Sequence, residues 1–144
     1  MLQNQAKILI VDDSATSRAV LRRRLISVAA QIIDCASAAA ALELVCQHDF
    51  ALILLDLQMP AIDGFEAIRR LRALPRSASM PVILMGARLS DPACRRLGYE
   101  LGAVDCFDSK PIDAMLLQQK ARAFIGMYQQ RVELQQGLLQ MQQK

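Results

Sequence analysis

Five short apolar runs, separated by stretches with helical spacing, restrict what this chain can fold into. Lys7-Ile-Leu-Ile-Val11 is continuously apolar and closed by two acids, and Ala51-Leu-Ile-Leu-Leu55 runs straight into Asp56. Runs of this kind, without polar alternation, fit strands buried on both faces. Met80 to Met85 and Val104 to Phe107 read the same way, and Gln31 to Cys35 is a weaker case. Between them lie helical patterns. Ser14 offers an N-cap ahead of Val20, Leu21, Leu25 and Val28. Ala38 to Gln47 is rich in Ala and Leu. Phe65, Ile68, Leu71 and Leu74 form an apolar face that stops near Pro75. Asp91 to Leu101 opens with Pro92 near its first turn and ends at Gly102, and a long helix starts at about Ile112. Strand and helix alternate five times, which predicts an α/β fold with a parallel sheet covered on both faces.

The acids and one lysine fall at special places in this pattern. Asp12 and Asp13 follow the first strand, Asp56 ends the third, and Lys110 follows the fifth. If strands one, three and five lie side by side, three carboxylates and one ammonium meet at one rim of the sheet. Ligands of open α/β sheets bind beyond that rim. Crowded carboxylates repel unless a cation joins them, and Mg2+ suits oxygen donors in a half-open site. A carboxylate is also a nucleophile toward phosphorus. Acids after strands also serve as plain helix caps, and Asp12 or Asp13 taken singly fits that role.

Asp12-Asp13-Ser14, Leu55-Asp56-Leu57-Gln58-Met59-Pro60 with Asp63-Gly64-Phe65, and Lys110-Pro111 after Phe107 together resemble the response regulator receiver family of two-component signalling. The resemblance runs from about Lys7 to Phe124. It implies a flavodoxin-like, doubly wound, five-stranded sheet of order 2-1-3-4-5. It implies Asp56 as phosphoacceptor and Mg2+ held by Asp13, Asp12, Asp56 and the Gln58 carbonyl. It further implies Lys110 on a phosphoryl oxygen, in a Lys110–Pro111 bond that is often cis in the family. The donor is then a phosphohistidine on a sensor histidine kinase or phosphotransfer protein. Such a receiver is a signalling module that assists its own phosphorylation rather than an enzyme.

One position departs from the family pattern. Gly86 stands where receivers usually carry Ser or Thr, ahead of Ala87, with Phe107 matching the aromatic that moves with that hydroxyl. A missing hydroxyl removes a hydrogen bond to the phosphoryl group, worth about 1.5–3 kcal/mol. The backbone N–H groups of Gly86 and Ala87 are the expected substitutes, and space beside Gly86 is expected to admit Phe107. The alternative function is therefore a receiver-fold scaffold with weakened or absent switching.

Residues 1–126 read as the receiver and 127–144 as a helical extension. Phe124, Met127, Arg131, Leu134, Leu138 and Met141 follow steps of three and four, a heptad seam broken at Arg131. It fits a homodimer or a connector to a downstream module. A stretch this short also frays when alone.

Composition narrows the rest. At 144 residues the chain suits one domain, and 53% hydrophobic residues supply a core. With 4% aromatics, no Trp and a net charge of +3, no stacking platform for nucleic acid stands out. Cys35, Cys46, Cys94 and Cys106 are far apart and read as reduced, buried thiols rather than zinc ligands, with His48 the only histidine. Neither a signal peptide nor a membrane span is visible, and the expected location is the cytoplasm.

Overall fold

The protein is described here from a computed structural model covering residues 5–108 and 112–143. Its strands are β1 (Lys7–Val11), β2 (Gln31–Cys35), β3 (Leu52–Asp56), β4 (Val82–Met85) and β5 (Asp105–Phe107). Its helices are α1 (Ala15–Arg24), α2 (Ala38–Gln47), α3 (Gly64–Ala73), α4 (Pro92–Glu100) and α5 (Ala114–Gln142). All pairings are parallel and the order is β2-β1-β3-β4-β5. The expected sheet order is therefore the observed one. The notion of strands one, three and five as direct neighbours is not, because β4 lies between β3 and β5.

The continuous apolar strands follow from two covered faces. Alternate residues point to opposite sides. Leu9, Val11, Ile53, Leu55, Val82 and Leu84 join a core with α2 and α3, including Val45, Ile68 and Leu71. Ile8, Ile10, Leu52, Leu54, Ile83 and Met85 join a second core with Leu21 of α1 and Leu117, Ala121 and Ile125 of α5. Each fully buried Leu or Ile contributes about 1.5–3 kcal/mol. The central strand β3 is buried from end to end, so its last residue, Asp56, is carried into the interior.

Side-chain oxygens set the helix starts. Ser14, Ser37, Asp63, Asp91 and Asp113 each accept a backbone N–H of the first turn. α1 stops at Arg24, short of the expected run through Val28, and Val28 is buried in the turn that follows. A short 3-10 turn, Ala87–Ser90, intervenes between β4 and α4 and was not foreseen; Leu89 anchors it in the core. Arg72 ties two loops together, donating to the carbonyls of Ser77, Met80 and Gly102 at 3.1, 2.8 and 2.8 Å.

The cysteines are free but not uniformly buried. Cys106 is buried, Cys35 and Cys94 are half-buried, and Cys46 is exposed. Burial, reinforced by the Asp105 charge, pushes the Cys106 thiol up to about 11, so it stays protonated near neutrality.

α5 is one helix of 29 residues, about 44 Å long. Gly126 and Gly137 do not interrupt it. Its buried residues end at Ile125, and Phe124 and Tyr128 are the last to pack partly on the core. No helix among the described residues is long and apolar enough to cross a membrane.

Candidate functional site

The sheet order creates a crevice. Chain connections leave β1 toward β2 on one side and enter β3 on the other, so the loops after β1 and β3 part at their carboxyl ends. Asp12 and Asp13 occupy the first loop, and Asp56 ends β3.

Asp12 is wholly buried and held by the start of α1. Its Oδ1 accepts the Ser14 N–H at 2.9 Å, and its Oδ2 accepts the Ser17 hydroxyl at 2.5 Å. Arg18 donates to the Asp12 carbonyl at 2.8 Å, while the Asp12 N–H extends the β1–β2 ladder to the Cys35 carbonyl at 3.2 Å. Ser14 was legible as a cap. The parts of Ser17 and Arg18 were missed, although Ser17 stands one helical turn beyond Ser14. Asp13 is exposed at the crevice mouth. Asp56 is 1% exposed, and its Oδ1 accepts the Gln58 N–H at 3.3 Å.

Asp12, Asp13 and Asp56 each place one carboxylate oxygen so that all three lie within 4.8 Å of one another. Negative oxygens this close repel. The donor set is hard, all-oxygen and open on the Asp13 side, which fits a small divalent cation that keeps part of its water shell.

Gly64 holds the β3–α3 loop against the site. Its N–H donates to the Leu57 carbonyl at 2.8 Å. A Cβ at this position would lie 2.7 Å from Leu57 Cα and 2.9 Å from the Asp56 carbonyl oxygen. Only glycine lets the start of α3 lie this close to the acceptor strand. Asp63, the residue before it, caps the helix by accepting the Glu66 N–H at 2.9 Å.

The family model for the response regulator receiver domain matches residues 8–122. This chain belongs to that family. Among curated relatives, a probable cyclic di-GMP phosphodiesterase of Vibrio cholerae is 35% identical over 122 residues, which cover 85% of this chain and 27% of that protein. A probable transcriptional regulator, ycf27, of Porphyridium aerugineum is 34% identical over 119 residues, covering 83% of this chain and 48% of the relative. The receiver thus spans about half or less of the length of these relatives. Among solved structures, the receiver domain of a sensor histidine kinase from Pseudomonas aeruginosa PAO1 aligns with a TM-score of 0.75 and 25% identity, covering 85% of this chain and 98% of that one. That structure is described with a magnesium ion coordinated in its active-site cleft.

Of the remaining expected positions, Gly86, Ala87 and Phe107 lie at or just after the carboxyl ends of β4 and β5. Lys110, with the Lys110–Pro111 bond, lies outside the described residues. Gly86 follows β4, and its N–H donates to the Phe107 carbonyl at 3.0 Å. That donor was expected to face an incoming oxygen; instead it is engaged at the edge of the sheet, which leaves Ala87, exposed at the start of the 3-10 turn, as the backbone candidate. Gly86 has φ +157° and ψ 152°, a region that residues with a Cβ rarely enter. A Cβ there would lie 3.2 Å from Leu57 Cβ, with no atom of Phe107 within 4 Å. The space beside Gly86 therefore adjoins Leu57, and Phe107 does not fill it. Phe107 is half-buried against the α1–α5 core. Arg88 is exposed, with its guanidinium 6.0 Å from the Phe65 ring centroid.

Proposed function

We propose that this receiver accepts a phosphoryl group on Asp56 from a phosphohistidine of a sensor histidine kinase or phosphotransfer protein, with Mg2+ as cofactor, and relays the signal to a partner or downstream module. The observation that carries this reading is the convergence of the Asp12, Asp13 and Asp56 oxygens within 4.8 Å at the β1–β3 crevice.

Each residue contributes a definable part. A carboxylate oxygen of Asp56 forms the new bond to phosphorus as the phosphorus–nitrogen bond breaks, and the imidazole nitrogen keeps the electron pair. Burial of Asp56 at the end of β3 restricts its rotamers and directs it into the crevice. Asp12, Asp13 and Asp56, with the Gln58 carbonyl, are the proposed ligands. Bound Mg2+ supplies charge neutralisation between the nucleophile and the incoming phosphoryl oxygens. Lys110 is the proposed cation for one of those oxygens, and the Ala87 N–H a further donor. We place the working boundary at residue 126, with 127–144 as an extension outside the phosphoryl chemistry.

The test is incubation with acetyl phosphate and Mg2+, followed by intact-mass measurement and peptide mapping. One phosphoryl group per chain, on the peptide containing Asp56 and lost when the metal is chelated, is expected. No mass gain, or a gain on another peptide, overturns the assignment.

Asp12 depends on Ser17 for its second carboxylate oxygen. Ser17→Ala is expected to weaken Mg2+ binding about tenfold, since groups that orient metal ligands have effects of that order. Calorimetric titration reads this directly, and unchanged affinity rejects a positioning role for Ser17.

The scaffold reading draws on Gly86. Its backbone region and the contact with Leu57 both oppose a side chain, so restoring a serine is not a simple repair. Gly86→Ser and Gly86→Ala are each expected to cost about 1–3 kcal/mol in urea unfolding. The lifetime of the aspartyl phosphate in the Ser variant relative to the Ala variant then isolates the hydroxyl. Wild-type stability in both variants would show that no strain is involved.

A further inference from the structure

The C-terminal half of α5 leaves the core with an apolar stripe that nothing among the described residues covers. Met127, Leu134, Leu138 and Met141 are 54%, 70%, 59% and 73% exposed. With Arg131 between the first two, their alternating steps of four and three produce a narrow seam that winds slowly around a straight helix and matches another helix bearing the same seam.

Three features identify that helix as a second copy of this chain. First, the flanks are self-compatible. Positions beside the seam are occupied by Gln130, Gln135, Gly137 and Gln142, and Arg131 and Glu133 are the only charged residues from 123 to 143. Two copies therefore meet without rows of like charge, and the glutamines can bond across the pair.

Second, the polar break is moved aside. The Arg131 guanidinium stacks over the Tyr128 ring, 5.6 Å from its centroid, one turn back toward the receiver. The contact holds the charge beside Tyr128, and an arginine stem can cover apolar surface while its charged head stays in water.

Third, the stripe is presented rigidly. Leu117, Ala121 and Ile125 fix the first half of the same helix in the core. Tyr128 packs partly on the core near Asp49 in the loop before β3, and burial together with that carboxylate pushes its phenol above the ordinary value. The helix thus leaves the receiver in a set direction, and pairing needs little further ordering.

We infer that the α5 extension is a homodimerisation seam, in which Met127, Leu134, Leu138 and Met141 of two copies pack together. This goes beyond the phosphoryl reading and stands without it. The test is sedimentation of the full chain over a range of concentrations, without phosphodonor or Mg2+, alongside Leu134→Glu/Leu138→Glu and Arg131→Leu. The wild-type mass should rise toward that of a dimer with concentration. The double variant should remain monomeric with unchanged receiver unfolding. Arg131→Leu should dimerise on the order of tenfold more tightly, because it removes the polar seam position. The inference is overturned if wild type and Arg131→Leu both stay monomeric, whatever their helix content. A dimer that survives the double variant also overturns it, because its contact lies elsewhere.

Discussion

Asp56→Asn is expected to abolish phosphoryl uptake from acetyl phosphate while leaving the fold intact. The amide matches the carboxylate in shape, so the strand and its packing need not move. The Asn Oδ1 can still accept the Gln58 N–H that now bonds Asp56 at 3.3 Å. What changes is chemistry, because a neutral amide oxygen is a poor nucleophile and forms no aspartyl phosphate. The cluster also loses one of three negative charges whose oxygens lie within 4.8 Å, so Mg2+ affinity should fall about tenfold or more, a change of roughly 1.4 kcal/mol per factor of ten. Intact mass, circular dichroism and Mg2+ titration separate these effects. A variant that still gains a phosphoryl group would place the acceptor at Asp12 or Asp13 and reject the assignment.

Gly64→Ala should be the most damaging single methyl group on this face of the molecule. The new Cβ would sit 2.7 Å from Leu57 Cα and 2.9 Å from the Asp56 carbonyl oxygen. Both neighbours are backbone, so no rotamer change relieves the overlap. Either the start of α3 retreats, losing the bond from the Gly64 N–H to the Leu57 carbonyl, or the end of β3 is pushed out of register with β4, where the Leu57 N–H bonds the Met85 carbonyl at 2.8 Å. Overpacking of this kind costs about 1–3 kcal/mol, and more where the backbone must shift. Because the displaced segment carries Asp56, phosphoryl uptake should slow in the same variant. Urea unfolding with parallel uptake kinetics checks both. A variant with wild-type stability and rate would show that the close approach is not required.

Much of the fold was legible because its strands are covered on both faces. Burial on two sides demands unbroken apolar runs, and Ile8 to Val11 and Leu52 to Leu55 satisfy that demand in the primary sequence. The family motifs added the strand order, which the apolar runs alone do not specify. Element ends were less legible. α1 stops at Arg24 although apolar spacing continues to Val28, since Val28 is buried by the turn and not by the helix. The 3-10 turn at Ala87–Ser90 is too short to show a period, and its anchor, Leu89, looks like any other leucine.

The site divides along the same line. Asp12, Asp13 and Asp56 were marked by position, because a charged residue that ends an apolar strand must emerge at the sheet rim. Their approach to within 4.8 Å depends on β1 and β3 being neighbours, and that neighbourhood is a property of the whole sheet. The bond from Ser17 to Asp12 likewise needs the helix docked on its strand. Gly64 and Gly86 were visible as glycines, but their reasons were not: one permits a contact between backbones, and the other combines an unusual φ with the proximity of Leu57. Residue types and their spacing determined which strands and acids this protein has. Distances between segments remote in sequence decided what those acids can do together, because repulsion, coordination and steric overlap act through space and not along the chain.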